Sequence, residues 1–343
     1  MAIRERRRGL HVEEGLDAGL RFLRVLAAGP ARAREAQLDL GERDGDRARD
    51  PNRLALHGHA TRPVSPAELP RCRCPVPARS AQGYVVAPVL LDVDGVFHVS
   101  GHPIDGVGDA VRRLREEGHR LRFVTNNTTS TRADLAADLR ALGVELDDEE
   151  LETSPRAAAK VLAGKRVLAL TMAAIRPELE GVELVGEEAE AVLLGGADET
   201  DEPNRVFSYM NLARAFAELE AGAELYCLHK NRWWQTARGP LLDSGAFVAG
   251  LEYAAGVEAT VLGKPSPAFF GAALVALDAD PERTWMVGDD LEADIVGAKS
   301  CGLRTILVRT GKFRESALED ALVKPDGVVD SLGEVPGFLA EAS

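Results

Sequence analysis

Val85-Val86-Ala87-Pro88-Val89-Leu90-Leu91-Asp92-Val93-Asp94-Gly95-Val96-Phe97 leads from an apolar run of strand length into two carboxylates two residues apart, then a glycine. Such a run reads as a strand buried on both faces, which suits the middle of a parallel sheet. Ligands on open parallel sheets bind beyond the carboxyl ends of the strands. Asp92 and Asp94 therefore fall where chemistry is expected. Positions two apart on a strand point the same way, and two ionised carboxylates on one side repel unless a cation lies between them. The stretch predicts a strand-end metal site.

Downstream, strands and helices alternate. Helices are expected over Val107–Glu117, Arg132–Leu142 and Ser154–Leu162, the last with Ser154 as N-cap and Pro155 in its first turn. A strand over Arg120–Val124 ends at the polar cluster Thr125-Asn126-Asn127-Thr128-Thr129-Ser130. The middle of the chain has strands at Val167–Thr171, Ala191–Leu194, Glu224–Leu228 and Ala259–Leu262, and helices at Tyr209–Glu220 and Ala246–Ala254. Its own periodicity marks it as a second α/β unit inserted into the first. The opening texture then returns: helix Pro267–Leu277, strand Thr284–Val287 ending at Gly288-Asp289-Asp290, helix Leu291–Cys301 carrying Asp294, strand Thr305–Val308, and a terminal strand and helix over Val328–Ala340. The expected division is 1–84 as an N-terminal extension, 85–164 and 260–343 as a discontinuous core, and 165–259 as the inserted domain.

The extension is a different kind of sequence. Residues 1–85 carry 16 Arg against 11 Asp and Glu, whereas the whole chain has a net charge of −14. Arg4, Arg6, Arg7 and Arg8 resemble the start of a targeting signal, but Asp17, Arg21 and Arg24 break the apolar stretch from Leu16 to Ala28. Residues 31–82 are rich in Arg, Asp, Gly and Pro without periodicity, which predicts disorder. This segment reads as a dispensable extension, or as a start placed too far upstream.

At 343 residues, 45% hydrophobic and 28% charged, the chain buries a substantial core. Its acidity argues against nucleic-acid binding. No apolar run approaches the roughly 20 residues of a membrane span. Cys72, Cys74, Cys227 and Cys301 complete no metal-ligand pattern and read as reduced thiols of a cytoplasmic protein. Gly106-Val107-Gly108 follows no strand and makes no dinucleotide fingerprint. His98 and His102 read as loop residues near the site.

Four polar clusters stand at strand ends or junctions: Asp92/Asp94, Thr125/Asn126, Lys264 and Asp289/Asp290. Carboxylates with open positions suit Mg²⁺. A hydroxyl and a lysine suit a transferring phosphoryl group, and an aspartate can act as nucleophile. The same residue types also serve as turns and helix caps, so any one cluster alone says little.

Together they resemble a known family. Asp92-Val93-Asp94-Gly95-Val96, Val124-Thr125-Asn126, Gly263-Lys264-Pro265, and Gly288-Asp289-Asp290 with Asp294 resemble, in order, the four motifs of the haloacid dehalogenase (HAD) phosphatase superfamily. The insertion resembles the C2 cap of the subclass holding NagD and the p-nitrophenyl phosphatases. Phe247–Ala254 and Thr310-Gly311-Lys312-Phe313 resemble the branch of the HAD-like hydrolase domain-containing protein 2 and the phospholysine phosphohistidine inorganic pyrophosphate phosphatase. The resemblance implies a Rossmann-like core with a C2 cap and Mg²⁺ as cofactor. It implies Asp92 as nucleophile and metal ligand. Asp94 would be acid/base, with its backbone carbonyl on the metal. Thr125 and Asn126 would hold phosphate oxygens, Lys264 would steady Asp92, and Asp289 would complete the metal site. Asp290 and Asp294 would support Lys264 or metal-bound water. Lys230, Asn231, Arg232, Trp233 and Trp234 follow a cap strand and would choose the substrate, a small anionic phosphate ester or pyrophosphate. The implied activity is a Mg²⁺-dependent phosphatase using an aspartyl-phosphate. The alternatives are a P–O–P or P–N hydrolase on the same site and a silent binding protein. The implied partners are a small-molecule phosphate substrate and a second copy through the cap, with no nucleic acid and no membrane.

Overall fold

The apolar run becomes β1 (Val89–Asp92), four buried residues in the interior of a sheet. The computed structural model describes residues 86–342 other than Ala237, so the expectations for residues 1–84 lie outside the described residues. Alternation along β1 feeds two cores. Val89 and Leu91 pack with Phe97, Leu114, Phe123 and Leu151 on one face. Leu90 packs with Phe269, Phe270, Leu274 and Met286 on the other. Burial on both faces is why this strand is apolar throughout.

Beyond Asp94 the chain turns at Gly95, with φ 87°, into a hairpin of β2 (His98–Val99) and β3 (His102–Pro103). Helix Val107–Glu116 buries Val107, Ala110, Val111 and Leu114, the i, i+3, i+4, i+7 face of an amphipathic helix. It returns to β4 (Leu121–Thr125), parallel to β1 with Val124 opposite Asp92. Helix Arg132–Ala141 follows, capped by Thr131, whose Oγ1 accepts from Asp134 N at 3.1 Å. β5 (Leu151–Thr153) closes this edge of the sheet. It has only three residues and no alternating pattern, so the sequence does not announce it. Thr153, not Ser154, occupies the N-cap position of helix Ser154–Leu162.

A second, wholly parallel sheet then forms from β6 (Arg166–Leu170), β7 (Glu183–Leu184), β8 (Ala191–Leu194) and β9 (Glu224–Cys227). An antiparallel hairpin, β10 (Trp233–Thr236) and β11 (Gly239–Leu242), leaves it after β9. β12 (Thr260–Val261) pairs with β9 and gives the order β12-β9-β8-β6-β7. Residues 260–261, expected in the core segment, thus belong to the second sheet. Helices Tyr209–Glu220 and Gly245–Ala255 contribute Ala215, Leu219, Val248 and Leu251 to its core.

The chain re-enters the first sheet with β13 (Trp285–Gly288), β14 (Arg304–Val308) and β15 (Gly327–Val329), in the all-parallel order β15-β14-β13-β1-β4-β5. The helix expected over Leu291–Cys301 opens instead as a wide turn, Leu291–Val296, in which Ile295 N donates to Asp290 O at 3.3 Å. Only Gly297–Ser300 is regular α-helix. The fold is α/β: a Rossmann-like parallel sheet with a second α/β unit inserted. Helix Ser154–Leu162 joins the two, with Ala157 in the first sheet's core and Ala158 and Leu162 against the second.

Candidate active site

The carboxyl ends of β1, β4 and β13 meet at one place, as expected for a parallel sheet. β1 delivers Asp92, β4 ends in Thr125, and β13 leads into Asp289 and Asp290. Lys264 arrives on the segment returning from the second sheet, and its Nζ donates to Asp92 Oδ1 at 2.5 Å and to Asp294 Oδ1 at 2.7 Å. All three side chains are buried. The wide turn explains how Asp294 arrives there: its Oδ2 also accepts from Asp290 N at 3.1 Å.

Asn126 fixes Lys264 from the other side. Its Nδ2 donates to Lys264 O, and its Oδ1 accepts from Lys264 N, both at 2.8 Å. The crossing is tight: a Cβ on Gly263 would lie 2.4 Å from Asn126 Oδ1 and 2.4 Å from Leu228 O. Thr125 Oγ1 donates to Asp94 Oδ2 at 3.1 Å and accepts from Asn127 N at 2.9 Å. The Asp94 side chain is 51% exposed and stands 3.8 Å from His98 Nε2.

Asp92, Asp289 and Asp294 each offer an oxygen within 4.8 Å of the other two. Burial, then the charge of Asp294, pushes the Asp92 carboxyl well above its ordinary range, against the pull of Lys264. Burial and Asp294 push Asp289 up to about 7. Burial also raises Asp294, again against Lys264. Three crowded carboxylates facing one ammonium fit a hard divalent cation, which takes oxygen ligands and supplies the missing charge. Asp94 is not in that trio, so its carboxylate remains for other work.

Two glycines make room for Asp289. Gly95 has φ 87° and Gly311 φ 55°. A Cβ at either would lie 1.9 Å from Asp289 Oδ2. The Thr310 hydroxyl donates to Gly95 O, and Lys312 N donates to Asp289 Oδ2 at 2.7 Å. Burial works against charge on Asp290, but the Lys312 ammonium 2.9 Å away and the amides of Ala293 and Glu292 outweigh it and hold the carboxyl below its usual range.

These residues floor a cavity of about 350 Å³ whose opposite wall comes from the second unit. Asn231 and Trp234 line it, but Lys230, Arg232 and Trp233 do not. Lys230 is drawn to Glu252 of helix Gly245–Ala255 at 2.7 Å, and Arg232 points outward, its side chain 84% exposed. Successive side chains on β10 take opposite sides, which leaves Trp233 beside Lys312 and Arg314, 5.9 and 5.5 Å from its ring.

The sequence pattern of the haloacid dehalogenase-like hydrolases matches residues 89–185, and a HAD-hydrolase-like pattern matches 261–335. The phospholysine phosphohistidine inorganic pyrophosphate phosphatase of Xenopus laevis is 41% identical over 74% of this chain and 94% of its own length. The chain belongs to the haloacid dehalogenase-like hydrolase family. Two solved structures resemble this hydrolase. The p-nitrophenyl phosphatase from Archaeoglobus fulgidus matches with TM-score 0.67 and 27% identity, over 74% of this chain and 98% of that one. The glycerol phosphate phosphatase from Mycobacterium tuberculosis in complex with magnesium matches with TM-score 0.62 and 30% identity, over 72% and 75%.

This hydrolase also brings to the cavity residues that motif reading passes over. Lys312 follows β14 in the Thr310-Gly311-Lys312-Phe313 stretch, which carries family resemblance but no assigned role. His229, just past β9, is buried with Nε2 3.3 Å from Thr128 Oγ1 and 3.9 Å from Asp243 Oδ1. Burial disfavours its charged form. A lone buried histidine gives no local signal in sequence, and its partners lie 101 residues before it and beyond the hairpin.

Proposed function

We propose that this chain, a phosphatase by family, is Mg²⁺-dependent and hydrolyses a small phosphorylated metabolite through an aspartyl-phosphate on Asp92. The observation that carries this is the Asp92 carboxylate, held by Lys264 at 2.5 Å inside a trio of carboxylates at the strand ends. Asp92 and Asp289 would hold the metal, with the Asp94 backbone carbonyl as a further ligand. Bound Mg²⁺ supplies the positive charge that lets these carboxylates coexist and offsets the charge of the phosphoryl oxygens. The magnesium complex of the mycobacterial relative supports that choice of metal.

In this mechanism an Asp92 oxygen attacks phosphorus and the bond to the leaving oxygen breaks. Asp94, outside the metal trio, gives that oxygen a proton. Asp94 then takes a proton from water, whose oxygen attacks phosphorus and breaks the bond to Asp92, releasing phosphate. Thr125 Oγ1 orients Asp94 with its one hydrogen and would turn that hydrogen to a phosphate oxygen once substrate is bound. Lys264 steadies Asp92, with Asn126 positioning its backbone and Asp294 its ammonium. Asp290, tied to Lys312, supports Asp289.

The second sheet and its helices, expected over 165–259 and extended to 261 by β12, act as a cap on the core of 85–164 and 262–343. A cavity walled from both sides supports closure that excludes water and selects substrate. P–O–P or P–N hydrolysis on the same site is the second reading, supported by the activity for which the Xenopus relative is named. Tyr209, Met210 and Tyr253, exposed on the cap helices, support a homodimer through the cap. The buried thiol of Cys227 supports a reducing, cytoplasmic setting.

Hydrolysis of p-nitrophenyl phosphate with and without Mg²⁺, in wild type and Asp92→Asn, tests the mechanism. Turnover is expected only in wild type with metal. Activity surviving the substitution or the removal of metal would sink the proposal.

A further inference from the structure

The cations expected to select an anionic substrate sit in the cap loop, yet Lys230 is paired with Glu252 and Arg232 faces outward near Glu292. Among the described residues, the lysine and arginine side chains that line the cavity are Lys264 and Lys312. Lys264 is enclosed between Asp92 and Asp294 at 2.5 and 2.7 Å. Lys312 differs. Its side chain is 21% exposed and holds Asp290 Oδ2 at 2.9 Å. An ammonium has three N–H groups, so hydrogens remain for another acceptor.

Lys312 stands between the metal carboxylates and the cap. Its backbone amide holds Asp289 at 2.7 Å, and its ammonium lies 5.9 Å from the ring of Trp233 on β10. In-line transfer from a phosphorus attacked by Asp92 places the leaving group opposite that residue, toward the cap wall. On that wall Glu199 has Arg238 at 3.4 Å, and Asp243 accepts from Ser244 N at 2.7 Å. Trp234 lines the cavity, and its indole Nε1 is buried with no hydrogen-bond partner.

We propose that Lys312, on the core rather than the cap, is the specificity-determining residue that binds negative charge on the leaving group. The preferred substrates are therefore phosphate esters or anhydrides whose leaving group is itself anionic. This inference rests on the phosphatase reading.

Phosphoglycolate, 2-hydroxyethyl phosphate and phosphoethanolamine have leaving groups of similar size and carry negative, no and positive charge. In wild type, kcat/KM should fall in that order. In Lys312→Met the preference for phosphoglycolate over phosphoethanolamine should drop by about 10- to 100-fold, the value of one charge-assisted hydrogen bond. Lys312→Arg should keep most of it. Calorimetric binding of the same two compounds to Asp92→Asn protein with Mg²⁺, with and without Lys312→Met, should show the same split without turnover. A parallel loss for all three compounds, or no change in their ratio, would overturn the assignment and leave Lys312 as a support for Asp289 and Asp290. If wild type turns over none of them, the phosphatase reading fails, and the calorimetric split still judges Lys312 separately.

Discussion

Both ends of the Asn126 amide are committed to the backbone of Lys264. Losing two such bonds in a buried site costs about 1–3 kcal/mol, so Asn126→Ala should lower kcat/KM by roughly 10- to 100-fold. Asn126→Asp should lose at least as much, because its second carboxylate oxygen would face Lys264 O, another acceptor. Wild-type activity in both variants would remove Asn126 from the positioning of Lys264. Asp289 sets a pH dependence. Its carboxyl is raised to about 7 from an ordinary 3.8. Without metal, the folded chain then holds a proton that the unfolded chain has released. That contribution to stability is present below pH ~4 and fades as pH rises through about 7. Mg²⁺ competes with the same proton, so the rise in Tm caused by Mg²⁺ should grow from pH 5.5 to 7.5. A flat or shrinking increment would contradict this. Asp92, Thr125, Lys264 and Asp289 were legible as residues because each directly follows an apolar run or sits at a Gly or Pro junction. Lys312 and His229 were not, because what makes them distinctive is a partner far away in sequence.

At the scale of elements, the long helices and inner strands follow from periodicity. Tyr209–Glu220 and Pro267–Leu277 have the expected bounds. The short pieces do not follow. β5 has three residues, and the β10–β11 hairpin replaces what reads as a basic, aromatic loop. That hairpin is held by core contacts: Ser100 Oγ donates to Gln235 O at 3.3 Å, and Arg314 Nη2 to Gln235 Oε1 at 3.3 Å. Tertiary contacts of this kind leave no local pattern, which is why the sequence does not tell that Asn231 and Trp234 line the cavity while Lys230, Arg232 and Trp233 do not. The end of β8 shows how closely the units meet. A Cβ on Gly196 would lie 1.7 Å from Thr128 Oγ1 and 3.3 Å from His229 Nε2. Gly196→Ala should therefore push the strand end off the Thr128 loop, at about 1–3 kcal/mol. Raised KM together with a lower Tm is expected. Unchanged KM would show that this seam does not shape the substrate cavity.

For the molecule as a whole, the insertion was legible because two blocks of core-like texture flank a block with its own strands and helices. Its far boundary was displaced by two residues, because a two-residue edge strand such as β12 carries too little pattern to assign. The Xenopus relative matches 74% of this chain and 94% of its own length. A chain beginning at Gly83 should therefore match the full chain in kcat/KM and Tm; loss of either would give residues 1–82 a part in the fold or the chemistry. One consequence concerns synthesis. Asp92 lies in the first described strand, whereas Asp289 is fixed by Gly311 and Lys312 in the loop beyond β14. A nascent chain still missing that loop lacks the amide that holds Asp289 and the ammonium that holds Asp290. On the proposed mechanism it would be silent on the ribosome and acquire activity only once the loop beyond β14 is in place.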